Sequence, residues 1–372
     1  MANFVTPRSG GLRTALRHLG AGYLAAGHEP VLVVPGATES DEQTDQGRVI
    51  TLPGPLVPRM GGYRVLLDRA RLSATLQSLR PDRIEISDRA TLRWLGRWAR
   101  GRGIPSMMVS HESLDGLLRL FGPGHSRRVG DLLNARTAAD HDQVVCTTGW
   151  AASEFARLGV RNLTQVPLGV DLDRFVPANH DPRMRTMWSA AEDVLLLHCG
   201  RLAPEKKPRR SLEALAGLRK SGVPAVLVVA GDGPLRIALQ SEAAERGLPV
   251  RFLGHVGDRR KLAALLASVD VAIAPGPIET FGLAALETLA SGTPVVVSAE
   301  SALPEVIGDA GVAAPGEGPA YAEAVRTLLS RPEPLRRAAA RAQAELFPWQ
   351  RSVDGFLEAH QALHRAPAAN QP

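Results

Sequence analysis

The chain has 372 residues, of which 44% are hydrophobic, 22% charged and 4% aromatic, with a formal net charge of +6. That length exceeds one comfortable core and suits two domains, and the composition is that of a globular protein rather than a disordered or fibrous one. No apolar run approaches a bilayer span and no basic start leads into an apolar stretch, so the sequence predicts neither a secreted nor a membrane-spanning protein.

Short Val/Ile/Leu-rich runs alternate with amphipathic stretches. Strands are expected at 31–34, 49–52, 84–87, 107–110 and 144–147, with helices at 12–26, 65–79, 91–100 and 128–139. The pattern then repeats: strands at 194–198, 225–230, 250–253, 271–274 and 295–298, helices at 210–220, 235–246, 259–267, 281–290 and 319–329. Apolar strands alternating with helices predict an α/β protein with parallel sheets covered on both faces. The Pro- and Gly-bearing stretch from Val166 through Pro182 reads as a linker. The expected domains are therefore 1–170 and 171–346, followed by a helix over 347–365 and a frayed tail over 366–372. Trp349, Val353, Phe356 and Leu357 form an apolar stripe at helical spacing that needs a partner.

The charge is uneven. Residues 1–180 hold 22 Arg, no Lys and 17 acids, whereas residues 181–372 hold 22 bases and 21 acids. An Arg excess can meet phosphate or an anionic membrane, although 40 Arg among 44 bases also fits the codon bias of a GC-rich genome. Leucines mixed with Arg64, Arg69 and Arg71, and Leu120 and Phe121 with Arg127 and Arg128, suit either a membrane-facing surface or core-facing helices with solvated basic faces. Nucleic acid is disfavoured because the bases lack interleaved aromatics for stacking. Cys146 and Cys199 each end an apolar run and read as buried thiols of a reducing compartment.

Several short motifs carry chemistry. Ser9-Gly10-Gly11 precedes the first helix and suits either a phosphate contact or a plain turn. Ser110-His111-Glu112 ends a strand, placing His111 as a structural residue or as one that meets a reacting group. Asp171-Leu172-Asp173 has paired acids but lies in the linker rather than after a core strand, and no cluster has metal-ligand spacing. Gly200-Arg201-Leu202-Ala203-Pro204-Glu205-Lys206-Lys207 follows the first strand of the second half, where such sheets bind ligands, and offers cations for phosphate. Gly231-Asp232-Gly233-Pro234 opens a helix, either to admit a ligand backbone or as a tight turn.

The most informative stretch runs from Gly276 to Glu287. A helix starting near Phe281 presents the open N–H groups of Phe281, Gly282 and Leu283 as an anion site. Glu279 and Glu287 flank it, roughly 9 Å of helix separating Phe281 from Glu287. Carboxylates repel phosphate and accept from hydroxyls, so the ligand implied has hydroxyls at both ends and phosphates between: a nucleotide sugar.

Arg201 with Lys206, then Gly231-Asp232-Gly233-Pro234, then Glu279 and Glu287 with seven residues between, resemble in that order the donor half of a retaining glycosyltransferase of family four. The stretch Leu168-Gly169-Val170-Asp171 is similar as well, and the resemblance spans essentially the whole chain. Pro7 to Ala15, Ser87-Asp88-Arg89 and Val109-Ser110-His111-Glu112 resemble its GDP-mannose-dependent branch that acts on phosphatidylinositol mannosides through an α-1,6 linkage. The resemblance implies a GT-B fold, two Rossmann-like domains facing across a cleft, with the last helix packing on the first domain. It implies that Arg201 and Lys206 neutralise the donor diphosphate, with Lys207 as fallback, and that Gly10 and Gly11 add a contact. By the same resemblance Glu279 binds the mannose, Glu287 the ribose, Val256, Asp258 and Lys261 the nucleobase, and His111 faces the sugar. No prosthetic group or divalent metal is expected. The implied partners are a nucleotide sugar, a glycolipid acceptor and the inner leaflet of the cytoplasmic membrane, to which a cytoplasmic protein attaches peripherally. Alternatives are another donor or a soluble acceptor, an epimerase, or an inactive glycolipid-binding protein. Such proteins carry a full strand ahead of the position of Asn3-Phe4, of which this sequence holds Met1-Ala2. The expectation is a gap in the first sheet or about half a dozen further apolar residues upstream.

Overall fold

A computed structural model describes residues 1–5, 10–57, 62–111, 113–119 and 126–365. Ser9, Glu112, Leu120, Phe121 and the expected tail lie outside them. The chain divides into two compact units, Met1–Gly169 joined by the segment from Trp349, and Val170–Pro348.

The first unit runs α1 (Gly11–Ala25), β1 (Val31–Gly36), β2 (Ser40–Thr44), β3 (Gly47–Pro53), α2 (Arg69–Leu79), β4 (Ile84–Ile86), α3 (Trp94–Arg100), β5 (Ser106–Ser110), α4 (Leu114–Arg119), α5 (Ser126–Asp140), β6 (Gln143–Cys146), α6 (Gly149–Ala156) and β7 (Leu163–Gln165). Its strands form two sheets, β1-β3-β2 and β4-β5-β6-β7. The expectation of purely parallel sheets fails at β2, which pairs antiparallel with β3 through a turn closed by Gly47 at φ +104. Ser40–Thr44 is wholly polar and carries no alternation to announce a strand. Helix α2 starts four residues later than expected. Val65 still donates to the Pro55 carbonyl in extended form, and the Asp68 side chain then caps the helix at Arg71 N (2.9 Å).

Met1 and Ala2 lie between the two sheets. The Ala2 N–H donates to Val33 O (3.2 Å), Ser87 N–H donates to Met1 O (2.9 Å), and the Met1 ammonium donates to Glu85 O (2.7 Å). The bonds to Glu85 and Ser87 alternate as in a parallel pair. Asn3, fully buried, holds Asp88 and Thr91 through Nδ2 (2.7 and 2.6 Å) and accepts from Leu66 N (2.9 Å).

The second unit runs α7 (Pro182–Trp188), β8 (Val194–Cys199), α8 (Arg209–Lys220), β9 (Ala225–Ala230), α9 (Arg236–Glu245), β10 (Val250–Gly254), α10 (Arg259–Ser268), β11 (Val271–Ala274), α11 (Leu283–Ala290), β12 (Val295–Ser298), α12 (Leu303–Ile307), β13 (Val312–Ala314), α13 (Gly318–Leu329) and α14 (Glu333–Glu345). One sheet of six parallel strands has the order β10-β9-β8-β11-β12-β13. Leu196, Leu215, Leu227, Val229, Ile273, Tyr321 and Val325 fill one side of it. The strand order reverses between β8 and β11, so the carboxyl ends of those two strands form the topological switch point where open α/β sheets take ligands.

The last helix, α15 (Trp349–Arg365), belongs to the first unit. Its stripe is buried at Val353 and Phe356, and Trp349 stacks on His18 of α1 at 4.5 Å between ring centroids. A Cβ on Gly22 of α1 would stand 2.3 Å from Val353 Cγ2, so glycine is what lets the helices approach.

Candidate functional site

Two loops meet at the switch point of the second unit. The loop after β8 carries Arg201, then a 3₁₀ turn over Pro204–Lys206, and ends at Lys207 in the left-handed region (φ 48). The loop after β11 carries Pro275 to Gly282. The two are joined by an ion pair between Lys206 Nζ and Glu279 Oε1. A Cβ on Gly276 would lie 3.4 Å from Glu279 Cγ and 3.5 Å from Lys206 Cα, in ordinary contact with the pair. Arg201 pairs with Glu205 on its own loop and is exposed. Two cations, each paired with a carboxylate of the protein, thus stand at the mouth of β8 and β11.

Helix α11 starts at Leu283, two residues after the expected Phe281. Gly282 occupies the left-handed region (φ +77) and no side chain caps the helix. A Cβ at Gly282 would meet Leu303 Cδ2 at 2.2 Å, which reserves the position for glycine. The Phe281 ring is buried and packs edge-on to Phe347 at 6.0 Å. Phe281 therefore offers a ligand its backbone only. Leu283 is also buried and anchors the start of the helix. The Glu279 carbonyl accepts from Ala302 N (2.9 Å), tying this turn to the segment after β12.

Glu287, on the second turn of α11, is 7% exposed, and its Oε1 accepts from Arg259 Nη2 at 2.7 Å. Burial raises its pKa, Arg259 opposing. Asp258 caps α10, its Oδ1 accepting from Arg260 N (2.8 Å) and Lys261 N (3.2 Å). The cap engages Oδ1 of this residue, which the resemblance implies for the nucleobase. Val256 is half-buried beside it and Lys261 is exposed.

The glycines of Gly231-Asp232-Gly233 are required by packing within the protein. A Cβ on Gly231 would strike Gly200 O at 1.8 Å, and one on Gly233 would strike Leu202 O at 2.4 Å. They let this turn lie against the loop that carries Arg201, with Leu202 N donating to Asp232 O (2.9 Å) and Leu235 N to Leu202 O (3.0 Å).

Three residues here had no signal in the sequence. Arg210, 5% exposed at the start of α8, holds Glu317 through two bonds (3.0 and 3.1 Å), the Pro275 carbonyl (3.3 Å) and the Tyr321 hydroxyl (3.4 Å). It braces the Glu279 turn from below. His198, 3% exposed, has Nδ1 3.0 Å from Ser211 Oγ and its Nε2 without a partner among the described residues. Burial, with Lys206 nearby, lowers its pKa to about 4. Arg259 is the third. All three lie on apolar or basic text with no motif, and their partners are distant in sequence or hidden in packing.

In the first unit, His111 follows β5. Burial, opposed by Glu85 and assisted by Arg89, lowers its pKa to about 4, so the imidazole is neutral near pH 7. Behind it lies a buried polar network: the Glu154 carboxylate accepts from Ser113 Oγ, Leu114 N (3.2 Å), Asp115 N (3.3 Å) and Asn134 Nδ2 (3.2 Å), and Arg89 donates to Asn134 Oδ1 (2.8 Å). Gly10 caps α1 with nothing within 4 Å of a Cβ position, and Gly11 begins the helix. Asp171 Oδ1 accepts from Arg174 N (2.9 Å). The thiol pKa values of Cys146 and Cys199 are both raised to about 12, chiefly by burial. Among the described residues no helix is long and apolar enough to cross a membrane.

Comparison with known proteins gives the family and the fold. Residues 10–170 match the family described as Glycosyl transferase 4-like domain, and residues 187–345 match Glycosyl transferases group 1. The chain belongs to this family of glycosyltransferases and has the GT-B fold. It is 52% identical over 360 residues to the GDP-mannose-dependent alpha-(1-6)-phosphatidylinositol dimannoside mannosyltransferase of Mycobacterium tuberculosis, covering 96% of this chain and 94% of that protein. A GDP-mannose-dependent alpha-mannosyltransferase of Mycolicibacterium smegmatis is 30% identical over 276 residues (73% and 71% covered). Among solved structures, HepE of Anabaena in complex with UDP and glucose superposes with a TM-score of 0.74 at 17% identity, covering 96% of this chain and 97% of that one.

Proposed function

We propose that this enzyme transfers mannose from GDP-mannose, with retention, to a phosphatidylinositol mannoside, converting a dimannoside to a trimannoside through an α-1,6 bond. The observation that carries the reading is the 52% identity sustained along 96% of the chain with a relative of that name. The pairing of Arg201 with Glu205 and of Lys206 with Glu279 at the switch point supports a nucleotide-sugar site.

Arg201, Lys206 and the uncapped start of α11 receive the negative charge that builds on the leaving diphosphate as the sugar C1–O bond breaks. Glu279 exchanges part of its contact with Lys206 for mannose hydroxyls, and that exchange brings the lysine toward the phosphates. The acceptor hydroxyl attacks from the leaving-group face, forms the new C1–O bond and passes its proton to a donor phosphate oxygen. Glu287 accepts from the ribose, Val256, Asp258 and Lys261 meet the base, and neutral His111 with the Gly10-Gly11 turn attends the donor sugar. Two protein cations supply the positive charge in this scheme, which predicts that a chelator leaves turnover unchanged.

A lipid acceptor requires a membrane surface. Helix α5 exposes Val129 (47%) and Leu132 (51%) among exposed Arg127, Arg128 and Arg136, a face suited to the anionic inner leaflet of the cytoplasmic membrane, to which we propose the enzyme docks peripherally. Incubation with radiolabelled GDP-mannose and a mycobacterial-type lipid extract should label a single lipid one mannose heavier than its dimannoside precursor. Label appearing only on soluble glycans, or only with a UDP-sugar donor, overturns the assignment.

A further inference from the structure

Glu287 is a carboxylate in an unfavourable place. It sits 7% exposed on α11, where desolvation favours the neutral acid. A protonated carboxyl has one acceptor oxygen fewer for a sugar diol and a changed geometry. One cation contacts it: Arg259, the first residue of α10, whose Nη2 lies 2.7 Å from Oε1. The guanidinium is itself held, its Cζ 4.9 Å over the ring of fully buried Phe175. Oε2 has no hydrogen-bond partner among the described residues and is the oxygen left for a ligand. The other charged or titratable groups that face Glu287 are Asp171 and Arg174 on the segment before α7, which oppose one another, and Cys199 at the end of β8, whose thiol stays neutral.

We infer that Arg259 is a positioning residue for the donor nucleoside: clamped on Phe175, it engages Oε1 of Glu287 and holds the carboxylate in place with Oε2 left for the ribose. The inference rests on the reading of Glu287 as the ribose acceptor. Arg259 touches no substrate in this scheme and acts through Glu287 alone.

The test is GDP affinity by calorimetry on the full chain between about pH 5.5 and about pH 8, in Arg259→Met, Arg259→Gln, Arg259→Lys, Glu287→Gln and the double variant Arg259→Met/Glu287→Gln. Without the arginine, affinity at the acid end should fall by about tenfold and recover as Glu287 deprotonates with rising pH. Lysine should restore most of the loss. In the double variant the loss should match that of Glu287→Gln alone and be flat with pH. The donor KM should follow GDP affinity while kcat at saturation changes little. Arg259→Gln preserves a hydrogen-bond donor and keeps the question open to measurement if methionine impairs folding. Wild-type affinity in both neutral variants, or a loss that is the same at every pH with or without Glu287→Gln, overturns the inference. Unchanged affinity in Glu287→Gln alone overturns instead the ribose assignment beneath it.

Discussion

The two units share a class of architecture and differ in how they close their sheets. The second is one uninterrupted six-stranded parallel sheet whose order reverses between β8 and β11. The first is split into a three-stranded and a four-stranded sheet, between which Met1 and Ala2 bond to Val33, Glu85 and Ser87 and a shared apolar cluster packs Val33, Ile50 and Leu52 with Ile84, Ile86 and Met108. In the second unit the switch point is therefore a pair of full strands feeding two rigid loops, and the cations and acids of the candidate site converge there. In the first, the corresponding place is the start of the chain and the turn into α1. A parallel sheet aims its loops well only where its central strands are continuous, since each inner strand takes its position from ladders on both sides.

Glycine substitutions test this contrast most severely. Gly231→Ala should destabilise the second unit by about 3 kcal/mol or more, because a Cβ there lies 1.8 Å from the Gly200 carbonyl and overpacking against backbone cannot relax. Urea denaturation measures it, and a stable variant would show that the Arg201 loop is not pinned as described. Next comes Arg201→Ala, which should lower transfer by roughly a hundredfold, about 2.7 kcal/mol of transition-state stabilisation, with little change in melting temperature. Wild-type turnover would remove the diphosphate role. In the first unit His111→Ala should reduce kcat by at least about tenfold while leaving GDP affinity intact, because the proposed GDP site is built from residues of the second unit. A parallel loss of GDP binding would blur the division of labour.

Acid should weaken both units. His198 has its folded pKa lowered to about 4 from 6.5, so the unfolded chain binds more protons between those values. Stability is present above pH 6.5 and is lost as pH falls toward 4, by at most ~3 kcal/mol from this residue. His111 shifts in the same direction. A urea midpoint that stays flat from pH 7 to pH 4 would contradict the burial of these rings. The smallest effect is expected at Gly10→Ala: nothing lies within 4 Å of the new Cβ and the backbone is not left-handed, so stability should change by under about 1 kcal/mol. A loss of donor affinity in that stable variant would implicate the turn directly.

Legibility in the sequence followed the range of the interactions. The apolar strands of the second half, the Arg201 to Lys206 loop and the Glu279–Glu287 segment could be read because each is a local pattern with local physics. Strand β2 could not, since it is an edge strand without apolar residues that gains its bonds from β3. The start of α11 was misplaced by two residues because the left-handed turn at Gly282 is enforced by Leu303, twenty-one positions on.

The alternation of strand and helix, the domain-sized repeat and the motif spacing were set by the sequence alone, as hydrophobic periodicity and turn chemistry act over a few residues. The partners of the charged groups were decided by tertiary structure. Arg259 reaches Glu287 across 28 residues and Arg210 reaches Glu317 across 107. The glycines of the Gly231 turn likewise let it pack against the backbone of Gly200 and Leu202, about thirty residues earlier in the chain. Coulomb attraction and steric exclusion depend on distance in space, and only the folded sheet sets those distances.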